Sequence, residues 1–227
     1  MAKLRVLQEP NSMLRRVSSE VAREDILSSK IKKLLRDMRD TLAATDIGVG
    51  LAAPQVGRPL RIFLVLENAL RPDTGHTEEA AAHSPKEKKT TLAFINPRIV
   101  KASRKKVWMT EGCLSVDGKF GKIRRSEKVT VEALDEHGKK FIRGASGLLA
   151  EIIQHEADHL NGILFVDSAK ELRKVEIDAS HSLKHRGGNV VCDQHRLSNV
   201  HARMDDRVTC SSRCARSLAL SHHHGDL

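Results

Sequence analysis

Aromatic residues are scarce in this chain, and no apolar stretch is long enough to cross a membrane. Aromatic side chains make up 3% of the 227 residues, so aliphatic side chains must build the hydrophobic core. No apolar run approaches the roughly 20 residues that a membrane-spanning helix needs. The segment from Met1 to Val6 has neither the apolar region of a signal peptide nor the long basic stretch of an organellar presequence. We therefore expect a soluble protein of the cytoplasm, of bacterial type, with an organelle as the alternative location.

Cysteine is also rare, and positive charge is not concentrated in one block. The chain contains four cysteines, and without a secretory signal reduced thiols and metal ligation are favoured over disulfides. The formal net charge is +10, but lysine and arginine are spread along the whole chain. Overall charge bears on association and solubility. We therefore predict no specific nucleic-acid site and, at most, a transient contact with an RNA-rich particle such as the ribosome.

Hydrophobic periodicity predicts two helices. The first runs from about Asp25, a plausible N-cap, to Ala44, with Gly48 just beyond its end. The second runs from about Ser146 to Asn161 and is ended by Gly162. A third helix could begin within Ala169–Lys174. The apolar stripe of the first helix consists of Leu27, Ile31, Leu34, Leu35, Met38 and Leu42.

Apolar runs and alternating patterns predict short strands, separated by one long polar segment. The segment from Glu67 to Thr91 has no periodicity and predicts an exposed insertion. Residues 1–175 form one predicted domain, and residues 176–227 form a C-terminal extension predicted to be disordered. The roles of Cys192, Cys210 and Cys214 in that extension stay open. The predicted strands are Leu60–Leu66, Leu92–Val100, Val107–Met109, Val129–Ala133, Lys140–Arg143 and Ile163–Val166.

The segment Gln154–Leu160 carries the strongest chemical pattern. His155 and His159 lie four residues apart, which places both imidazoles on one face of a helix. Glu156 between them is a natural proton carrier, and the pattern is typical of metal-assisted hydrolysis. A helix with two surface histidines is the alternative interpretation. The aliphatic flanks argue against it, because they predict a largely buried helix.

A third ligand decides the type of metal site. In the metzincin pattern a third histidine follows the helix, but Phe165 occupies that position and cannot bind a metal. Cys113, in Glu111–Ser115, follows a predicted strand, and its thiolate would complete a Cys-His-His site with a fourth position open. A buried, inert thiol is the alternative for this cysteine.

The segment Gly48–Gln55 combines two glycines and a proline in eight largely apolar residues. This composition predicts a backbone held close to a ligand, with Gln55 as an amide donor. A tight turn into a strand is the alternative.

Taken together, these three segments resemble the three motifs of the peptide deformylase family. They read GVGLAAPQ, EGCLS and QHEADHL, in that order, and the resemblance covers about residues 4–166. It implies an α+β fold in which antiparallel sheets pack around a central HExxH helix. It also implies a metal-dependent hydrolase that removes the N-formyl group from the N-terminal methionine of nascent polypeptides and releases formate.

The resemblance also implies a role for each motif residue. Cys113, His155 and His159 would hold one divalent metal, Fe²⁺ in many family members, with Ni²⁺, Co²⁺ or Zn²⁺ able to substitute. Glu156 would act as the base, while the amide of Gln55 and the backbone N–H of Leu114 would stabilise the oxyanion. The backbone of Gly50 would bind the substrate main chain, and the pocket for the methionine side chain would consist of Val49, Leu148 and Ile152.

Two other functions remain as alternatives. One is an HExxH metallopeptidase, which would need a different third ligand. The other is a noncatalytic protein that binds the ribosome or RNA on a deformylase scaffold. Loss of catalysis usually removes the base or a ligand, yet Glu156, Cys113 and Gln55 are all present.

Overall fold

Two antiparallel sheets and two helices form the part of the chain that the structure describes. The structure is a computed structural model, and it describes residues 3–45, 48–67 and 90–174. The helices are α1 (Ser29–Ala43) and α2 (Gly147–Leu160). The strands are β1 (Gly50–Ala52), β2 (Ile62–Leu66), β3 (Thr91–Ala102), β4 (Lys106–Cys113), β5 (Val116–Ser126), β6 (Lys128–Leu134), β7 (Lys140–Ser146) and β8 (Lys170–Lys174).

The larger sheet has the order β1-β2-β3-β6-β7, and the smaller sheet has the order β4-β5-β8. Every pairing between these strands is antiparallel. Helix α2 contacts strands of both sheets, including β1, β2 and β7 of the larger sheet and β5 of the smaller one. The predicted α+β class is therefore confirmed, and α2 carries the HExxH residues between the sheets.

Aliphatic side chains build most of the core, as the scarcity of aromatics predicts. All five residues of β2 are buried, which fits a strand covered on both faces. Helix α1 packs one apolar face against this strand through Leu35, Met38 and Leu42, and α2 packs through Ile152 and Ile153. Two of the few aromatic residues stack between the layers, where the ring centroids of Phe63 and Phe94 are 4.6 Å apart. Burial on both faces of β2 thus fixes α1 and α2 on opposite sides of the larger sheet.

The first helix begins later than the sequence predicts. Its N-cap is Ser28, whose hydroxyl accepts a hydrogen bond from the backbone N–H of Ile31 at 3.3 Å. Asp25 lies instead in a short 3-10 turn, Arg23–Asp25. Leu27, which was predicted to lie on the apolar stripe, is 53% exposed because it precedes the helix. The prediction of a start at Asp25 is therefore wrong by one turn.

The predicted strands before α2 are confirmed, with differences at their ends. The strand predicted at Leu60 begins at Ile62, and the other four extend further than predicted. Sequence analysis missed β5, because Val116–Ser126 is rich in charged residues and glycine. Arg125 on this strand is nevertheless buried.

Two predictions after α2 are wrong. Ile163–Val166 is not a strand: Phe165–Asp167 forms a 3-10 turn, in which the carboxylate of Asp167 accepts a hydrogen bond from Leu164 N at 3.0 Å. The residues of Ala169–Lys174 start no helix either, since Lys170–Lys174 forms β8 and pairs with β5. This pairing uses backbone hydrogen bonds that the local sequence pattern does not reveal. The predicted end of α2 is right, because Gly162 follows the helix with φ +73°.

The centre of the predicted insertion and the C-terminal extension lie outside the described residues. At the ends of the insertion, Glu67 N donates to Thr90 O at 2.9 Å, and Thr91 is already the first residue of β3. The limit of the catalytic domain at residue 175 stays a prediction. Within the described ranges no helix is long and apolar enough to cross a membrane.

Candidate metal centre and active site

The end of β4 and the middle of α2 bring three possible metal ligands together. The Sγ atom of Cys113 lies 3.2 Å from Nε2 of His159. One ligand atom each from Cys113, His155 and His159 can be chosen so that all three lie within 4.8 Å of one another. The two histidines are four residues apart on α2, so one turn of helix sets their spacing. Their ring centroids are 4.9 Å apart.

These three residues fit one divalent ion by the chemistry of their donors. A thiolate and two imidazoles are ligands that zinc, iron and nickel accept, and three protein ligands leave a fourth position open. His159 is buried, and Cys113 and His155 are half-buried. Oε2 of Glu156, the next residue along α2, is buried and has no hydrogen-bond partner among the described residues. Such an atom would gain a partner if a water molecule or substrate entered the site.

A buried carboxylate orients His155. Oε2 of Glu111 lies 2.8 Å from Nδ1 of His155, which leaves Nε2 of that ring for the metal centre. Burial alone would raise the pKa of Glu111, but hydrogen bonds from Arg125 and His155 outweigh it and hold the pKa below its usual value. Glu111 therefore stays ionised and can accept the Nδ1 proton of His155.

Arg125 connects this carboxylate to α2. Its Nε and Nη2 donate to the two oxygens of Glu111 at 2.6 and 2.9 Å, and its Nη1 donates to Asp158 at 2.5 Å. A bidentate pair of this kind adds direction as well as charge. Sequence analysis did not identify Glu111, Arg125 or Asp158 as site residues. Glu111 and Asp158 lie inside the quoted motifs and could have been found there, whereas Arg125 stands in a strand with no such signal.

Gln55 is held with its amide nitrogen towards the cysteine. Its Oε1 accepts a hydrogen bond from Ala52 N at 2.7 Å, and its Nε2 donates to Ser115 Oγ at 3.1 Å. The same Nε2 lies 3.6 Å from Sγ of Cys113. The side chain is buried, in a 3-10 turn directly after β1. The structure therefore brings this predicted donor next to the predicted metal ligand.

Leu114 begins the two-residue turn between β4 and β5, directly after Cys113. Its carbonyl oxygen accepts a hydrogen bond from Nε2 of Gln8 at 2.9 Å. The neighbouring N–H of Ser115 points at Sγ of Cys113 at 3.4 Å. The N–H of Ser115 thus lies beside a predicted metal ligand, and the role of the Leu114 N–H, one residue earlier, stays a prediction.

Gly50 and Glu156 are in close contact. A Cβ atom at position 50 would lie 2.4 Å from Oε1 of Glu156, so any residue other than glycine would displace this carboxylate. Burial raises the pKa of Glu156 to about 7, against the opposing effect of His155 and with a contribution from Glu111. A carboxylate with this pKa can accept and return a proton near neutral pH.

The three predicted pocket residues have different surroundings. Ile152 is buried in the core between α2 and the larger sheet, and Val49 is half-buried beside it. Leu148, in the first turn of α2, is 48% exposed. The structure places Val49 next to Gly50 and Ile152 one turn before Glu156, so both border the candidate site. Their role as the pocket for the methionine side chain stays a prediction.

Comparison with known proteins identifies the family. The profile of the polypeptide deformylase family matches residues 3–175. A peptide deformylase of Symbiobacterium thermophilum is 42% identical over 180 residues, which cover 78% of this chain and 72% of the relative. The chain belongs to the polypeptide deformylase family.

Solved structures agree with this assignment. A peptide deformylase from Legionella pneumophila superposes with a TM-score of 0.61 at 37% identity, covering 75% of this chain and 88% of that one. A class I type b peptide deformylase from Acinetobacter baumannii, bound to Met-Ala-Ser, gives a TM-score of 0.61 at 30% identity, with 74% and 98% covered. The fold, and with it the predicted enzyme class, is that of peptide deformylases.

Proposed function

We propose that this chain is a metal-dependent hydrolase that removes the N-formyl group from formyl-methionyl nascent polypeptides and releases formate. One observation carries the proposal: Cys113, His155 and His159 converge within 4.8 Å beside the buried carboxylate of Glu156. Family membership supports the same reaction.

The proposed cofactor is one divalent ion, Fe²⁺ with Ni²⁺, Co²⁺ or Zn²⁺ as substitutes, held by the thiolate and the two imidazoles. Such an ion supplies Lewis acidity, which makes water a competent nucleophile near neutral pH. The protein's contribution is to fix the donors. Glu111 holds His155 in position, and Arg125 holds Glu111.

Glu156 is the proposed proton carrier. Its carboxylate takes a proton from the water molecule whose oxygen attacks the formyl carbon. It then returns the proton to the amine nitrogen as the carbon–nitrogen bond breaks, so that formate and a free amino terminus are formed. Burial favours this role, because it raises the pKa of Glu156 to about 7.

Gln55 and Leu114 are the proposed donors to the developing oxyanion. The amide of Gln55 is already oriented by Ala52 and Ser115, so little reorganisation is needed during the reaction. The loss of one such donor typically costs about 2.7–4 kcal/mol of transition-state stabilisation.

The substrate main chain would bind along β1. This strand lies at the end of the larger sheet. Val49 O accepts from Leu66 N at 2.9 Å, and hydrogen-bonded pairs alternate along an antiparallel ladder, so the N–H and C=O of Gly50 point away from β2. An extended peptide can therefore pair with Gly50 at this edge. Val49, Ile152 and Leu148 remain the proposed pocket for the methionine side chain, and a relative has been solved with Met-Ala-Ser bound.

Formate release from a formyl-methionyl tripeptide tests the proposal. Protein is purified without oxygen, with iron or nickel supplied, and compared with Glu156→Ala. We expect turnover by the parent and none by the variant, with one metal bound per chain in both. If metal binds and no formate appears, the chain is not a deformylase, and cleavage of unformylated peptides would favour a metallopeptidase instead. A transient contact with the ribosome and a cytoplasmic location remain predictions.

A further inference from the structure

The outer face of the smaller sheet carries the only tryptophan of the chain. Trp108 on β4 lies directly opposite Arg124 on β5. Alternation along these strands places both on the face opposite to that of Glu111 and Arg125, the buried residues of the catalytic site. Trp108 is 51% exposed. One exposed apolar residue needs no explanation by itself, but the charges around this one do.

Two cations lie over the indole ring. Cζ of Arg124 is 5.8 Å from a ring centroid of Trp108, and Nζ of Lys170 is 5.6 Å from it. Neither cation forms a salt bridge with any carboxylate in residues 3–45, 48–67 or 90–174. Both side chains are long and exposed. They can therefore move from the ring to an anionic ligand at little cost.

Like charges also face each other across this sheet. Lys122 on β5 lies directly opposite Lys170 on β8. Arg173, further along β8, lies opposite Phe120 and adds a third positive charge to this part of the sheet. Like charges directly opposite each other in a sheet are destabilising. The carboxylate of Glu171 binds Lys122 at 2.9 Å, which offsets only part of this charge. A basic face with a stability cost points to an anionic partner.

A cavity opens beside the ring. An open cavity of about 240 Å³ is lined by Trp108, Ile123, Arg124, Ser168 and Lys170. It has an aromatic wall and a cationic rim. A flat ring can lie against the indole there while phosphate groups contact the rim.

We propose that this face, the Trp108 surface, binds a single-stranded nucleic acid. The Trp108 surface consists of Lys106, Trp108, Lys122, Arg124, Lys170 and Arg173. One base stacks on the indole, and Arg124 and Lys170 contact the flanking phosphates, the combination that proteins use for single strands. A lipid surface fits less well, because interfacial binding buries a broad apolar face. This face offers only the ring of Trp108 and the half-buried ring of Phe120, set among basic side chains. The surface lies outside the proposed catalytic site, so this inference does not depend on deformylation.

Fluorescence of the full-length protein tests the stacking directly. The chain has one tryptophan and no tyrosine, so its emission reports Trp108 alone. We expect a short oligoadenylate, as RNA or DNA, to quench this emission with a midpoint that rises with salt. Heparin, which carries charge but no bases, should quench little. Vesicles of anionic lipid should cause no blue shift.

Variants distinguish the contribution of the indole ring to binding from the contribution of the positive charges. Binding of a labelled oligonucleotide, followed by anisotropy, should weaken about tenfold or more in Trp108→Ala and recover partly in Trp108→Phe. Lys170→Ala should lower the salt slope by about 0.7. Lys139→Ala, in the turn between β6 and β7, is the matched control and should change nothing. All these variants should release formate at the parent rate.

Four results would overturn the proposal. These are the absence of binding at low salt, equal binding by Trp108→Ala and the parent, equal affinity for heparin and the oligonucleotide, and a blue shift with lipid vesicles in place of quenching by bases. Basic residues elsewhere, including residues 175–227, are unchanged in these variants and cannot account for a difference between them.

Discussion

The two faces of the smaller sheet differ sharply, although neighbouring residues supply them. Arg125 faces inwards, is buried, and donates to Glu111 and Asp158. Arg124 faces outwards, is exposed, and lies over Trp108. The same kind of side chain thus holds the carboxylate that contacts His155, a proposed metal ligand, at one position and forms part of a basic surface at the next.

This difference shows how one pair of strands can serve two purposes. Side chains alternate between the faces of a strand, so β4 and β5 present Glu111 and Arg125 to α2 and present Trp108 and Arg124 to solvent. Arg125 pairs with a buried carboxylate, and removing one partner of such a pair is costly. Changes on the inner face should therefore impair catalysis or stability, and changes on the outer face should leave catalysis unaltered.

Cys113→Ala should have the largest effect of any change on this sheet. It removes a proposed metal ligand. We therefore expect activity to fall by more than the roughly 100-fold that is lost when a residue that only hydrogen-bonds to a metal ligand is removed. Metal content, measured after gel filtration, should fall with it. Trp108→Phe on the outer face of the same strand is the control and should retain metal and activity. Full metal content in Cys113→Ala would refute the assignment of this ligand.

Gln55→Ala tests the proposed oxyanion donor, whose amide nitrogen donates to Ser115 in the turn between β4 and β5. We expect a fall of about 10²–10³ in kcat, because one oxyanion donor is lost. Metal content should remain at the parent level, since Gln55 is not a proposed ligand. Formate release under saturating peptide gives kcat. A rise in KM with unchanged kcat would show that Gln55 binds the ground state only.

Glu151→Gln probes the buried carboxylates that surround the inner face. Burial raises the pKa of Glu151 on α2 to about 7, and the charge of Glu111 adds to that rise. The folded state favours the protonated form, so the stability that this group contributes is present below pH 4.5 and is lost as the pH rises to about 7. Relative to the parent, the variant should gain up to about 3 kcal/mol in free energy of unfolding across this interval.

Urea unfolding at several pH values, without added metal, measures this gain. Glu171→Gln is the matched control on the outer side, because Glu171 is exposed and pairs only with Lys122 at the surface. Its difference from the parent should stay small at every pH. A flat profile for Glu151→Gln would mean that the pKa of Glu151 is the same in the folded and the unfolded protein, which would contradict the effect of burial.

Much of the candidate site could be predicted from the sequence, because its residues lie in short local patterns. His155, Glu156 and His159 share one helix, and helical spacing alone places the two imidazoles together. Gly50 and Gln55 are close in the chain as well. The apolar run of β2 was equally easy to predict, since a strand buried on both faces has a continuous hydrophobic pattern.

Two features could not be predicted from local patterns. These are the residues that hold His155 in place, Glu111 and Arg125, and the basic surface around Trp108. Arg125 meets Glu111 only through the register of β4 and β5, and Lys170 meets Lys122 only because β8 adds to the same sheet. Sequence analysis treated the positive charge as evenly spread and expected no nucleic-acid site. Strand pairing collects part of that charge on one face, and this clustering is invisible along the chain.

The most direct test of the account compares the two neighbouring arginines. Arg124→Lys and Arg125→Lys each keep the charge and lose the guanidinium fork, and formate release is measured with metal saturating and folding checked by circular dichroism. We predict that Arg125→Lys loses about 10- to 100-fold in kcat/KM, because Glu111 and His155 are no longer held. Arg124→Lys should match the parent. Equal activities of the two variants would contradict the claim that the inner face of the smaller sheet supports catalysis and the outer face does not.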